Sequence, residues 1–165
     1  MSKSQQMNRN CEIRMDHLAN HLHFTPIIAK WQFDQWGYLH PDQTLDDRIE
    51  KLKAMARRNE IPTTIIAFNY QEVVGSASLV EYDMDTHKEW SPWLACAIVN
   101  SKFRSQGVGA AMVQRIIDEA RLLKIKKVYL YTFDKQNFYG RLGWKLIMND
   151  FYREHQVIIM ERHIQ

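Results

Sequence analysis

Cysteine is scarce in this 165-residue chain: Cys11 and Cys96 are the only two. Their separation fits no zinc motif, and two thiols cannot build a disulfide framework. Both are expected to be reduced packing residues in a cytoplasmic protein. Long hydrophobic runs are missing as well. No stretch approaches the ~20 apolar residues needed to cross a bilayer, and the opening MSKSQQMNRN has no apolar leader core. No membrane association is expected. Charge of one sign is also limited, with 22 Lys+Arg against 19 Asp+Glu and a net charge of +3. The basic residues are scattered and form no stripe interleaved with stacking aromatics, so nucleic acid is not an expected partner. There are only six glycines. Two of them, Gly107 and Gly109, stand two residues apart.

A hydrophobic content of 45% and a charged content of 25% describe an ordinary globular domain. Residues 1–10 read as a loose segment and 11–165 as a single domain. EIRMDHLA, from Glu12, suggests a short first strand. An aromatic-rich helical stretch covers about Asn20 to Tyr38, with Pro26 early in it or breaking it. PDQTLDDRIEKLKAMARRNEIP predicts a helix capped by Thr44 or Asp42. Acids fill its first turn, bases its last, and Leu45, Ile49, Leu52 and Met55 share one face. TTIIAF and VVGSASLVEY predict a hairpin across NYQE. WLACAIVN predicts a strand, and from Gly107 a helix buries Val108, Met112, Val113, Ile116, Ala120 and Leu123. Gln114, Arg115, Asp118, Glu119 and Arg121 are expected on its exposed face. A strand KKVYLYT, a short helix in DKQNFYGRL, and strands in WKLIMND and HQVIIMER complete the order β-α-α-β-β-β-α-β-α-β-β. This is an α/β domain with a mixed sheet.

Two glycines at a helix start cost roughly 1 kcal/mol each relative to alanine. A ligand there can offset that cost. The first amides of a helix lack partners within it, the macrodipole places partial positive charge there, and glycine admits close approach to the backbone. Together these features make a phosphate cradle, with Lys102 and Arg104 adding side-chain charge. Neither G-x-x-x-x-G-K-[ST] nor G-x-G-x-x-G is present, which excludes the Walker loop and the Rossmann fingerprint.

Arg104-Ser105-Gln106-Gly107-Val108-Gly109 resembles the R-x-x-G-x-G/A signature of the GNAT superfamily of acyl-CoA-dependent N-acetyltransferases. WLACAIVNSKF resembles the strand before that signature, and YLYTFDKQNFYGRLGW the later strand, short helix, tyrosine and closing turn. The resemblance implies a mixed, mostly antiparallel sheet flanked by helices. It also implies acetyl-CoA as cosubstrate, held where the strand before the signature splays from its neighbour. Pantetheine would meet the backbone of Ala97, Ile98 and Val99. The pyrophosphate would lie on amides among Arg104, Ser105, Gln106, Gly107, Val108, Gly109 and Ala110. Tyr139 takes the place of the family's tyrosine near the thioester sulfur. Where many relatives carry a pantetheine-binding asparagine, this chain has Thr132. The strand glutamate common in relatives has no counterpart in Trp93 to Val99. Homodimers are common in the superfamily, and dimerisation is left open.

Acyl transfer requires that the amine lose a proton, that the carbonyl be polarised and that the thiolate leave. Glu81 and Asp83, at the end of the Val73 strand, are the expected base candidates. Asp85, His87 and Glu89 follow in the same loop. Trp31, Trp36, Tyr38, Trp90 and Trp93 could wall an acceptor pocket or simply pack. His17 and His21 have metal-pair spacing but no third ligand, so no metal is expected. The expected activity is acetyl transfer to a primary amine of a small molecule in a ternary complex. A peptide N-terminal amine as acceptor and a non-catalytic acyl-CoA sensor remain the alternatives.

Overall fold

The computed structural model describes residues 12–70 and 72–165. Cys11 and the segment 1–10 lie outside them. Seven strands form one sheet in the order β1-β2-β3-β4-β5-β7-β6. They are β1 (Arg14–His17), β2 (Thr63–Phe68), β3 (Val73–Val80), β4 (Trp93–Val99), β5 (Lys127–Thr132), β6 (Lys145–Tyr152) and β7 (His155–His163). Every neighbouring pair is antiparallel except β4 and β5. Four α-helices accompany the sheet: α1 (Thr25–Trp36), α2 (Leu45–Ala54), α3 (Val108–Leu122) and α4 (Gln136–Arg141). The element order matches the sequence reading throughout.

Side chains alternate across a strand, so β2 and β3 serve two layers at once. Ile65, Ala67, Val74 and Ala77 join Met112, Val113, Ile116 and Ile117 of α3 in the largest core cluster. Ile66 and Val73 pack with Ile28, Ala29 and Leu52 of α1 and α2. All eight residues of β3 are buried, as expected of a strand covered on both faces.

Pro26 sits in the first turn of α1, where its missing N–H costs nothing. The aromatic-rich helix is therefore shorter than its sequence pattern, with 3₁₀ turns before and after it. Thr44 caps α2 in a reciprocal box with Asp47: Asp47 N donates to Thr44 Oγ1 at 3.1 Å and Thr44 N to Asp47 Oδ2 at 2.9 Å. The far end of α2 is tied to the sheet by a buried hydroxyl pair. Thr64 Oγ1 and Ser78 Oγ lie 2.8 Å apart, and Thr64 Oγ1 donates to Met55 O at 3.2 Å.

One helix-face expectation fails. Glu119 is buried, at 4% exposure. It pairs with Arg115 Nε at 3.0 Å and with His17 Nε2 at 3.2 Å. Arg115 is an i,i+4 neighbour on α3, but the docking of β1 beside α3 brings His17 across 102 residues of sequence, which helical periodicity cannot register.

Gly75 sets how closely α3 approaches the sheet. A Cβ there would lie 2.8 Å from Met112 Cε and 2.9 Å from the Ile98 carbonyl oxygen. Met112 can swing, but the carbonyl is fixed by the β3–β4 ladder. Gly75→Ala should destabilise the fold by about 1–3 kcal/mol, read as a lower denaturant midpoint with an unchanged m-value. An unchanged midpoint would show that the two strands can separate at no cost.

Candidate active site

The site begins with a counting mismatch between paired strands. From Ser78 to Ser76, β3 advances two residues. The facing stretch of β4, from Ala95 to Ile98, advances three. The extra residue forms a β-bulge, and Cys96 adopts a left-handed φ of 55° within it. On its other side β4 bridges β5 only at Trp93↔Tyr129. Beyond that bridge the two strands part, and the edge of β4 opens into a cleft of about 1380 Å³. Ala97, Ile98 and Val99 line it.

The parted edge leads to the start of α3. Asn100 closes the strand by accepting from Lys102 N at 3.1 Å. The chain then turns through Ser105 and Gly107, with φ of 63° and 83°. Gly107 caps α3 with no side-chain hydrogen bond. The helical ladder begins with Ala111 N donating to Gly107 O at 3.1 Å, so the amides of Val108, Gly109 and Ala110 precede it. A Cβ at Gly107 would meet nothing within 4 Å, which leaves open space beside the uncapped turn. Arg104, Ser105, Gly107, Val108, Gly109 and Ala110 all line the cleft. Gln106 does not, because its amide folds back onto Lys102 O at 3.4 Å. Lys102 faces away too, paired with Glu72 at 3.5 Å. Of the two basic side chains expected here, Arg104 alone lines the cleft, and its Nε donates to Val99 O at 3.2 Å.

The sequence profile of the acetyltransferase (GNAT) family matches residues 25–144. The chain belongs to the GNAT acetyltransferase family. It is by family an acetyl-CoA-dependent N-acetyltransferase. Solved structures share the fold at low identity. An aminoglycoside 6'-N-acetyltransferase complexed with coenzyme A is 17% identical, with a TM-score of 0.72 over 92% of this chain and 97% of that one. A GNAT-family acetyltransferase from Staphylococcus aureus is 18% identical, with a TM-score of 0.66 over 93% and 100%. A candidate acetyltransferase from Salmonella typhimurium, solved with its cofactor acetyl-CoA, is 17% identical, with a TM-score of 0.66 over 93% and 94%.

In this GNAT chain Tyr139 lies on α4 and lines the cleft. Its ring sits edge-on to Phe138 and Trp144, with centroids 5.0 and 6.0 Å away. Burial pushes its phenol up to about 12, so the hydroxyl stays protonated near neutral pH. Thr132 also lines the cleft, and its Oγ1 accepts from Lys135 N at 3.1 Å, fixing the turn into α4.

The two base candidates separate clearly. Glu81 is exposed. Asp83 is half-buried and lines the cleft. Desolvation pushes its carboxyl up to about 6, against the opposing pull of the Lys51 and Arg48 charges. Asp83 also acts electrostatically on Cys96 and Tyr131, which places it beside the bulge. Burial raises the Cys96 thiol above its ordinary value, as expected of an inert packing thiol.

Other expected candidates fall elsewhere. His87 and Glu89 do not line the cleft. His87 pairs with Asp150 and Glu89 and stacks on Trp90, 4.6 Å between centroids. Asp85 does line the cleft, but it is engaged by Arg153 at 3.6 Å. Of the aromatic group, Trp36 lines the cleft. Trp93 is fully buried against Trp90 and Tyr129, because its position on β4 precedes the splay and faces the core. Among the described residues no group of three His, Cys, Asp or Glu could hold a metal. His17 turns to Glu119, and His21 lies 2.9 Å from Asp16.

Sequence reasoning missed Arg48, Lys51 and Gln32, which α2 and α1 bring to the opposite wall of the cleft. Arg48 Nε donates to Gln32 Oε1 at 2.8 Å and its Nη2 to Cys96 Sγ at 3.2 Å.

Asp83 generates a stability prediction. Its folded pKa, about 6, lies above the ordinary 3.8. Between those values the folded state holds more protons than the unfolded one, so its stability contribution falls as pH rises from 3.8 to 6 and stays low above that. Asp83→Asn should therefore stabilise the fold at pH 7 by on the order of 1–3 kcal/mol, after discounting for partial exposure. The gain should vanish below pH 4. A gain that persists at low pH would mean that burial does not raise this carboxyl.

Proposed function

We propose that this chain moves an acetyl group from acetyl-CoA directly to the primary amine of a small molecule, in the cytosol. One observation carries the reading: the parted edge of β4 runs without interruption into the uncapped start of α3. A narrow chain with hydrogen-bonding groups can lie along the former while its diphosphate meets the latter. Ala97, Ile98 and Val99 would hold the pantetheine arm. The amides from Val108 to Ala110, with Arg104 and Ser105, would hold the diphosphate, and the Thr132 hydroxyl can still donate. Gly107 and Gly109 fit that role, since neither places a Cβ in the way.

Bound there, acetyl-CoA supplies an acyl group already activated as a thioester. The chain's own groups do the rest. Asp83 takes the proton from the acceptor ammonium. A free alkyl ammonium has a pKa of ~10, so transfer to a carboxyl at about 6 is uphill by roughly 4 units. Desolvation of the amine beside Tyr131, Phe133 and Tyr152 narrows that gap, because burial disfavours the cation. The amide of Ile98 or Val99, on the parted edge, can polarise the thioester carbonyl. Tyr139 donates a hydrogen bond to the departing sulfur. A thiol has a pKa of ~8.5, well below that of this phenol, so Tyr139 stabilises the thiolate and surrenders little of its proton. The second proton, shed by the nitrogen as the amide forms and the C–S bond breaks, passes to the departing thiolate, which leaves as CoA thiol. Holding both substrates in one cleft replaces a covalent enzyme intermediate. A base held near neutrality favours catalysis over a sensor role.

Three measurements test this. Tyr139→Phe should lower kcat by roughly 10²-fold with little change in affinity for acetyl-CoA, and a wild-type rate would remove the tyrosine from the reaction. Gly109→Val should keep the fold, since a Cβ there meets Phe138 and Val99 only at 3.5 and 3.7 Å. It should weaken acetyl-CoA binding in calorimetry by at least about tenfold, and unchanged affinity would refute the cradle. Amine-dependent release of CoA should rise with pH through about 6 as Asp83 loses its proton, and Asp83→Asn should abolish that limb of the profile.

A further inference from the structure

The wall of the cleft facing the bulge carries positive charge without matching carboxylates. Arg48 makes two hydrogen bonds, to the neutral Gln32 and to Cys96. A guanidinium has five N–H donors, so three remain. Lys51 lies one turn further along α2 on the same wall. Among the described residues neither cation has a carboxylate within ion-pair distance, although Lys53, the next base on the helix, pairs with Glu50 at 3.1 Å. Arg153 reaches the same region from the β6–β7 turn. Burial holds the His40 imidazole below its ordinary value, and the charges of Arg153, Lys51 and Arg48 push it the same way. The negative groups on this part of the lining are Asp83 beside the bulge, the exposed Glu81, and Asp85, already engaged by Arg153. Lys88 adds a further cation. Gln32 is 1% exposed, lines the cleft, and leaves its Nε2 with no hydrogen-bond partner. An unmet buried donor costs about 1–3 kcal/mol unless an acceptor arrives.

Resting on the acetyl-transfer reading, we propose that the acceptor is an amine carrying an acid group, a carboxylate or a phosphate, with the acid bound by Arg48 and Lys51 and the amine beside Asp83. Both cations act on Asp83 electrostatically. All three groups line one cleft, and Arg48 reaches the bulge at Cys96 Sγ, 3.2 Å away, so an acceptor whose two ends are close, such as an amino acid or a short amino-terminated acid, can span them. Arg48 offers the planar fork that acids prefer. Lys51 is an exposed point charge that selects sign more than geometry. A polycationic acceptor is disfavoured, because its second ammonium would meet these two cations instead of carboxylates.

The test uses matched sets of amines of one chain length that differ at the far end: 4-aminobutanoate, 3-aminopropylphosphonate, methyl 4-aminobutanoate and 1,4-diaminobutane. Parallel sets pair amino acids with their amides. Calorimetric binding to the CoA-loaded protein is measured beside acetylation rate. At least one acid member should bind about tenfold more tightly than its neutral partner, with the diamine weakest. The better of carboxylate and phosphonate identifies the acid. Lys51→Gln and Arg48→Gln should each cut that preference several-fold, the double variant should erase it, and Arg48→Lys should retain part of it. Should Arg48→Gln melt early, the exposed Lys51 variant carries the comparison. Equal or tighter binding of the neutral or dicationic member, no binding by any member, or an undiminished preference in the Lys51 and double variants overturns the proposal. Failure of every amine to be acetylated overturns the transfer reading instead, while the binding order still decides this one.

Discussion

The ladder between β3 and β4 cannot close around Cys96. β4 carries one residue more than β3 between Ala95 and Ile98, and the surplus residue must bend the strand. β3 cannot yield, because all its residues are buried and α3 clamps it at Gly75, where a Cβ would already be too close. The bend is therefore taken up by β4, away from β5. Pairing with β5 ends after Trp93, and the backbone groups that would have completed a sheet are left for something else. The opened edge of β4 and its approach to the start of α3 follow from β4 and β5 parting there.

A second constraint sets the opposite wall. α2 would be an unremarkable amphipathic helix if it were free to rotate. Its C-terminal end is held by Thr64, which spans from Met55 O to Ser78 on the next strand. Leu52 is fully buried beneath it. With both the end and the apolar side fixed, the polar side that carries Arg48 and Lys51 has to face the cleft. The Arg48 contact to Cys96 joins the two constraints: the residue that opens the sheet also receives the guanidinium from the helix above it.

The elements were legible in the sequence because their signals are local. β2 begins and ends at the residues that its apolar run marks, and Thr44, Asp47 and Pro26 sit where capping and first-turn rules put them. The uncapped start of α3 was legible for a similar reason. Glycines at a helix start speak through backbone geometry, which a short motif encodes. What escaped notice was long-range. Arg48 and Lys51 carry no mark of a site in the sequence, since nothing in α2 itself says which neighbour its polar face will meet. Glu119 looked exposed for the same reason, until His17 arrived from the far end of the chain. Asp83 and Glu81, two residues apart, were indistinguishable as letters. Burial separates them, and burial is a property of the closed cleft.

The cleft raises the pKa of two of its lining groups, and it does so by the same means. Removal from water penalises a carboxylate and a phenolate alike. Asp83 rises to about 6 and Tyr139 to about 12. Their roles are set by where each starts. A carboxyl lifted toward neutrality remains ionised at physiological pH yet binds a proton more readily, which is what a base requires. A phenol lifted from an already high value is locked in its donor form. One environment thus leaves Asp83 able to accept a proton and keeps Tyr139 a hydrogen-bond donor, with neutral pH between their two values. A second ionised carboxylate near Asp83 would raise it further and leave it protonated at neutral pH. The cations of α2 pull the other way. They favour its ionised form, so the same charges that would attract an acid-bearing acceptor also keep this carboxyl able to take up a proton, as the proposed transfer requires.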